Sequence, residues 1–244
     1  MQSSPQQRAL LLAEIQHVNA ARINAADAPR LKTLKRLVPH GVRDPLRERL
    51  TAAARPLARR RVASRLASGP APRLNLGSGY APIDGWTNID LLGAPVDVPW
   101  NLKRGIPFPD DSVEAVFSEH VFEHIPLNGA LALIQDAVRA LVPGGVFRVA
   151  VPDAGLLLRS YAGIDDEEWA LSRSTRMQAV MSLFYENGHC TMYDDELLIT
   201  LCELAGLQAV EVRQFRQSRL GDAVPDSDHR RSGTLYVEGL KPGD

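Results

Sequence analysis

Residues 74–91 read LNLGSGYAPIDGWTNIDL. A short apolar run, 73–76, meets Gly77-Ser78-Gly79, and a second run, 86–90, closes on Asp90. The two runs predict short strands joined by a glycine-bearing turn. Such turns commonly hold a nucleotide, because glycine lets the backbone approach a ligand closely. The dinucleotide fingerprint is G-x-G-x-x-G with an acid about 20 residues further on. Here Pro82 stands in place of the third glycine, and Asp90 lies only 11 residues past Gly79. A helix able to aim its N-terminus at a pyrophosphate hardly fits between them. No Gly-Lys-Ser/Thr follows, so a P-loop fails as well. The expected ligand lacks a phosphate chain but keeps a ribose, whose two hydroxyls Asp90 can bind. Charge-assisted bonds of this kind contribute on the order of 1.5–3 kcal/mol each. S-adenosylmethionine fits that description, with Gly77 and Gly79 opening the backbone to its amino-acid tail.

The chain around this stretch is an alternation of strands and helices. Runs 113–118 and 146–151 predict further strands. Residues 128–141 predict a helix with Leu131, Ile134, Val138 and Leu141 on one face, ended by Pro143-Gly144-Gly145. Residues 194–206 predict another helix, capped by Asp194. Two β-like runs, 209–215 and 234–239, have no helix between them and suit an antiparallel hairpin. The pattern argues for an α/β fold with a doubly wound, mostly parallel, seven-stranded sheet.

Composition is that of a soluble globular protein, and 244 residues can bury a sizeable core. The longest apolar runs are too short to cross a bilayer, and the first residues, MQSSPQQR, lack the layout of a secretory signal. Cys190 and Cys202 form no CxxC pair, and free thiols in a cytoplasmic protein are expected. The net charge of −1 hides an uneven split. Residues 1–70 carry 14 Lys/Arg against 4 Asp/Glu, and residues 71–244 carry 14 against 25. This predicts a basic helical extension, 1–70, ahead of a domain over 71–244, with a boundary near Ser68-Gly69-Pro70. Deleting the extension should then leave a folded domain. Within it, residues 5–23 predict one helix. Asp44-Pro45 reads as the N-cap and first residue of a second, running to about Ala67 with a kink at Pro56. The Arg-rich second helix suits a solvated face, a homo-oligomer contact, or peripheral contact with an anionic membrane surface. Aromatics for stacking on bases are missing from it, which argues against nucleic acid.

The segments LNLGSG, GWTNIDL, WNLKRGIPFPDDSVEAVFSEHVFEHI, LVPGGVFRVAVPD, GHCTMYDDELLITLCELAGL and TLYVEGLKP run in an order that resembles the class I S-adenosylmethionine-dependent methyltransferases. The likeness is to the bacterial branch found beside sugar and polysaccharide genes, and it covers residues 72–242. It implies a Rossmann-like methyltransferase fold and O-methylation of a sugar or sugar-bearing precursor. It also implies cofactor contacts at Leu76, Gly77, Ser78, Gly79, Asp90, Leu91, Asn101, Leu102 and Ser118. Asn101 departs from the family's W-D-L pattern: asparagine keeps donor and acceptor but loses the charge beside the adenine. Two other readings remain open at this level, a binding protein without transferase activity and a nicotinamide enzyme.

Ser118 to Ile125, SEHVFEHI, follows the predicted fourth strand, beside the expected cofactor. The letters also spell the H-x-x-E-H zinc motif. That motif needs a long helix presenting both histidines, and Pro126 stops any helix within two turns, so no metal is expected. Glu123 and His124 are read as anchors of a short helix. His120, nearest the strand end, and His189, in the insert after the fifth strand, are the candidate catalytic residues. Methyl transfer to a hydroxyl requires removal of a proton, and histidine suits that task. Asp153, Arg159, Tyr161 and Tyr193 are further candidates for contact with the acceptor or for the base, although Asp153 also suits a helix cap.

Overall fold

The computed structural model describes residues 40–165, 173–186 and 188–243. The helix expected over 5–23 lies outside them. Seven strands form one sheet: β1 (Arg73–Leu76), β2 (Thr87–Asp90), β3 (Val98–Pro99), β4 (Val113–Glu119), β5 (Leu141–Pro152), β6 (Gln208–Arg213) and β7 (Thr234–Leu240). Their order is β3-β2-β1-β4-β5-β7-β6. The first five pair in parallel, and β7 is antiparallel to both β5 and β6. The doubly wound, mostly parallel sheet and the closing hairpin are as the sequence predicts. No helix forms between β1 and β2, where Pro82 and the short interval left no room.

Alternation along β5 divides its side chains between the two faces. Phe147, Val149 and Val151 join the main core, with Leu133, Ile134 and Ala137 of α3 (Leu127–Ala140) and Leu198 and Leu201 of α6 (Asp195–Leu204). The buried stripe of α3 is Ala130, Leu133, Ile134, Ala137 and Ala140, with Leu131 and Val138 only partly covered. Of the face predicted from the sequence, Ile134 lies in this stripe, Leu131 and Val138 flank it, and Leu141 is buried as the first residue of β5. On the other face Arg148 is fully buried, with Trp86, Ala115, Phe117 and Val146 near by in a smaller cluster. Arg148 Nε and Nη2 donate to the Asp226 carboxylate at 2.8 and 2.5 Å, and its guanidinium lies 5.1 Å from the centre of the Tyr236 ring. These bonds hold the segment before β7 across the sheet.

Helices α1 (His40–Ala53) and α2 (Arg55–Ala67) precede the sheet. The sequence placed the start at Asp44-Pro45, but α1 already runs from His40 and Pro45 lies inside it. One lost N–H bond is tolerated there because the following turn is anchored on the sheet. Arg47 Nε donates to Leu92 O at 2.9 Å, and Leu92 N donates to Thr51 Oγ1 at 2.9 Å. The second helix is broken at Ala54 rather than kinked, and Pro56 falls in the first turn of α2, where its missing N–H is harmless. Ala58 and Val62 of α2 belong to the main core. Arg61 Nη1 donates to Asp97 O at 2.8 Å, and Arg65 Nε donates to Thr87 Oγ1 at 3.1 Å. The charge boundary near residue 70 is therefore not a packing boundary, and several arginines of the basic stretch serve to dock it. No helix among the described residues is long and apolar enough to cross a membrane.

Candidate active site

Strand order reverses between β1 and β4, which opens a crevice at the carboxyl ends of the strands. Every sequence-predicted cofactor residue falls at the end of one of the first four strands. Gly77 N and Ser78 N both donate to Ile89 O, at 2.8 and 3.3 Å, which ties the glycine turn to β2. Asp90 completes the tie: its Oδ2 accepts from Gly79 N at 2.8 Å, and its Oδ1 accepts from Leu91 N at 2.5 Å. Arg47 Nη2 stands 3.5 Å from Oδ1. Two N–H bonds leave the carboxylate two lone-pair directions, the number that a pair of ribose hydroxyls needs. Ser118 Oγ donates to Leu76 O at 3.3 Å and so pins β4 to β1 beneath the turn.

The glycines divide their work. Gly79, at φ +53°, has open space around it, for a Cβ there would meet only Gly77 O at 4.0 Å. Gly77, at φ +69°, is crowded: a Cβ would stand 2.3 Å from Val121 Cγ2. Its missing side chain makes room for Val121, a role no local pattern shows. Ser78 is buried and its Oγ has no hydrogen-bond partner. A buried hydroxyl left so costs about 1–3 kcal/mol, and the polar tail of S-adenosylmethionine would satisfy it. Asn101 caps a short 3-10 turn over 102–104, its Oδ1 accepting from Lys103 N at 3.0 Å. With Trp100, Arg104, Thr51 and Arg55 it lines a cavity of about 270 Å³ between β3 and α1, large enough for a heterocycle.

The histidines gather at the exit of β4. His120 takes φ +53°, a conformation that side chains rarely adopt and that recurs at functional sites. Thr234 Oγ1 donates to Arg230 O, so it accepts from His120 Nε2, 3.0 Å away. His120 Nδ1 then lies 3.3 Å from Glu123 Oε1 and 3.3 Å from Arg230 Nη1. Glu123 belongs to the 3-10 turn Phe122–His124 and is buried, and neither carboxylate oxygen receives a hydrogen bond. Beyond it, His124 and His189 meet edge to face, ring centres 4.9 Å apart.

His189 reaches this place from the loop after α5 (Arg176–Tyr185). Cys190 N and Thr191 N both donate to Glu123 O, and Thr191 Oγ1 donates to Ile125 O. His189 Nδ1 donates to Leu183 O at 2.6 Å, which leaves Nε2 as the acceptor. Burial pushes the His189 pKa below the usual imidazole value, against the pull of the Leu183 carbonyl and Glu123. The two histidines singled out in the sequence are thus both brought close to one buried carboxylate. Asp153, Tyr193 and Arg159 have partners within the fold, and Tyr161 is exposed. Asp153 caps α4 (Ala154–Ala162), accepting from Leu156 N at 2.7 Å. Tyr193 is buried and donates to Phe122 O at 3.3 Å, and burial pushes its phenol pKa up, so it stays protonated. Arg159 pairs with Asp165 on the surface. Thr234 and Arg230 were not legible in the sequence, since nothing local marks partners 114 and 110 residues away.

Comparison with known proteins finds the following likenesses. The chain is similar in structure to an S-adenosylmethionine-dependent methyltransferase from Archaeoglobus fulgidus, at 13% identity over 80% of this chain and 94% of that one, TM-score 0.48. It is also similar to one from Thermotoga maritima described as a possible histamine N-methyltransferase, at 16% identity over 82% and 95%, TM-score 0.45. A third likeness is to one from Mesorhizobium loti, at 17% identity over 77% and 97%, TM-score 0.43. No curated protein matches the sequence. Residues 59–212 match the family described as "Methyltransferase domain", and the chain belongs to that family, with S-adenosylmethionine as its cofactor.

Proposed function

We propose that this methyltransferase acts on oxygen, and that its acceptor is a sugar or a sugar-bearing precursor. The observation that supports methylation of a hydroxyl is the placement of His120 and His189 about Glu123 at the end of β4, beside the glycine turn. S-adenosylmethionine supplies the methyl group from a cationic sulfonium. The chain aligns the partners and takes the acceptor's proton. Asp90 holds the ribose hydroxyls, Ser78 and Gly79 receive the amino-acid tail, and Trp100, Asn101 and Leu102 border the adenine. His189 Nε2, kept as an acceptor by the Leu183 carbonyl, is one candidate base; His120, held by Thr234 and beside Glu123, is the other. The sugar class rests on the resemblance of the ordered sequence segments to the polysaccharide-associated branch.

Labelled S-adenosylmethionine and a panel of sugar acceptors test this reading. Replacing the histidine that acts as base by alanine should lower turnover by about 10²–10⁴ while leaving cofactor affinity nearly intact. If one substitution alone does so, the other histidine binds or packs. Transfer to nitrogen acceptors with no sugar methylated would refute the proposal.

A further inference from the structure

We propose that Glu123, His124 and His189 form a binding site for a zinc-type divalent cation. One ligand atom from each residue lies within 4.8 Å of the other two. Glu123 and His124 are neighbours on the short 3-10 turn, and the loop carrying His189 is fixed to that turn by the bonds of Cys190 and Thr191 to Glu123 and Ile125. The cluster is therefore held by the backbone and does not depend on a chance approach of surface side chains.

The independent sign of a ligand is Glu123. Its side chain is 2% exposed, and both oxygens lack a hydrogen bond. Imidazole nitrogens stand near it, His120 Nδ1 at 3.3 Å and His124 Nε2 at 3.9 Å. A buried carboxylate in this state is costly unless a cation compensates it. His189 carries the second feature of a metal ligand. Ligating histidines usually donate the other ring N–H to a carbonyl or carboxylate, which orients the lone pair. His189 Nδ1 does this to Leu183 O at 2.6 Å, so Nε2 is the free ligand atom. Two imidazoles and one carboxylate are a three-residue set that zinc uses in open, four-coordinate sites. Tetrahedral zinc with bonds of 2.0–2.1 Å sets its ligands about 3.3 Å apart, so the side chains need only rotate inward. The His124 side chain is 40% exposed, so the cluster has a solvent-accessible member.

The expectation of no metal came from the H-x-x-E-H spacing, which would have needed His120 and His124 on one helix face. In the fold His120 Nε2 is engaged by Thr234, and the set within 4.8 Å is completed by His189, which that spacing did not include. The inference does not depend on the identity of the methyl acceptor. With an ion bound, His189 Nε2 would be occupied, and proton removal would fall to His120.

The full chain, freed of metal by a chelator, would be titrated with Co²⁺ and followed by its visible absorption, then with Zn²⁺ by calorimetry. The expected result is one ion per chain at this site, tetrahedral cobalt bands displaced by zinc, and a rise in Tm with zinc. His124→Ala, on an exposed residue, and Glu123→Gln, which keeps the shape of the buried side chain, should each weaken zinc binding at least about tenfold. Both variants should keep the circular dichroism spectrum of the parent. The parent chain failing to bind either metal, or both variants binding as tightly as the parent, would overturn the proposal, whatever the acceptor assays give.

Discussion

Replacing Asp90 by alanine tests the cofactor site most directly. The carboxylate accepts from Gly79 N and Leu91 N, and in the proposed site its remaining lone pairs would take the ribose hydroxyls. Loss of one charged hydrogen bond to the ribose costs about 1.5–3 kcal/mol, or roughly ten- to a hundredfold in affinity. Loss of the bond to Gly79 also frees the glycine turn, which adds to the weakening. Asp90→Asn keeps one acceptor oxygen and should fall between parent and alanine. Arg47→Ala removes the ion pair together with the bonds of Arg47 to Leu92 O and Leu91 O. Its nitrogen is 3.5 Å from Oδ1, with side chains 33% and 19% exposed, and such pairs contribute about 0–1 kcal/mol. Affinity in that variant should therefore stay within about fivefold of the parent. Calorimetry with S-adenosylmethionine or its demethylated product gives Kd for all three. An unchanged Kd for Asp90→Ala in a folded chain would refute the ribose assignment. A loss in Arg47→Ala as large as in Asp90→Ala would mean that the pair acts as a unit.

Gly77→Ala should destabilise the fold by about 1–2 kcal/mol from its positive φ alone, plus the clash with Val121. Val121→Ala in the same chain should recover the clash but not the backbone term, and full recovery in denaturant melts would contradict the assignment. Arg148→Ala leaves Asp226 and Glu238 buried beside a cavity, so a loss of about 3–5 kcal/mol is expected, read as a fall in Tm. An effect under about 1 kcal/mol would show that the segment before β7 is held by other means. Cys190 is exposed and Cys202 is buried with its thiol pushed up to about 12, so a thiol reagent should label one cysteine in the native chain and two after unfolding. Equal labelling rates for both would place Cys202 wrongly.

The features legible in the sequence are those that short stretches decide. The strands before and after the glycine turn follow from apolar runs a few residues long. Asp194 starts its helix because a carboxylate answers a free N–H three residues on, a bond made within one turn. The missing helix between β1 and β2 follows from Pro82 and from a length too short to hold one. The start of α1 was misplaced because local turn chemistry at Asp44-Pro45 yields to anchoring on the sheet through Arg47 and Thr51. Gly77 has its value set by Val121, and His120 by Thr234. Glu123 acquires His189 only after α4 and α5 have returned the chain to the end of β4. Each of these pairs is joined by strand order, which brings residues together from tens of positions apart. Propensity and spacing act over a turn of chain, whereas the chemistry of this site depends on which turns share the crevice.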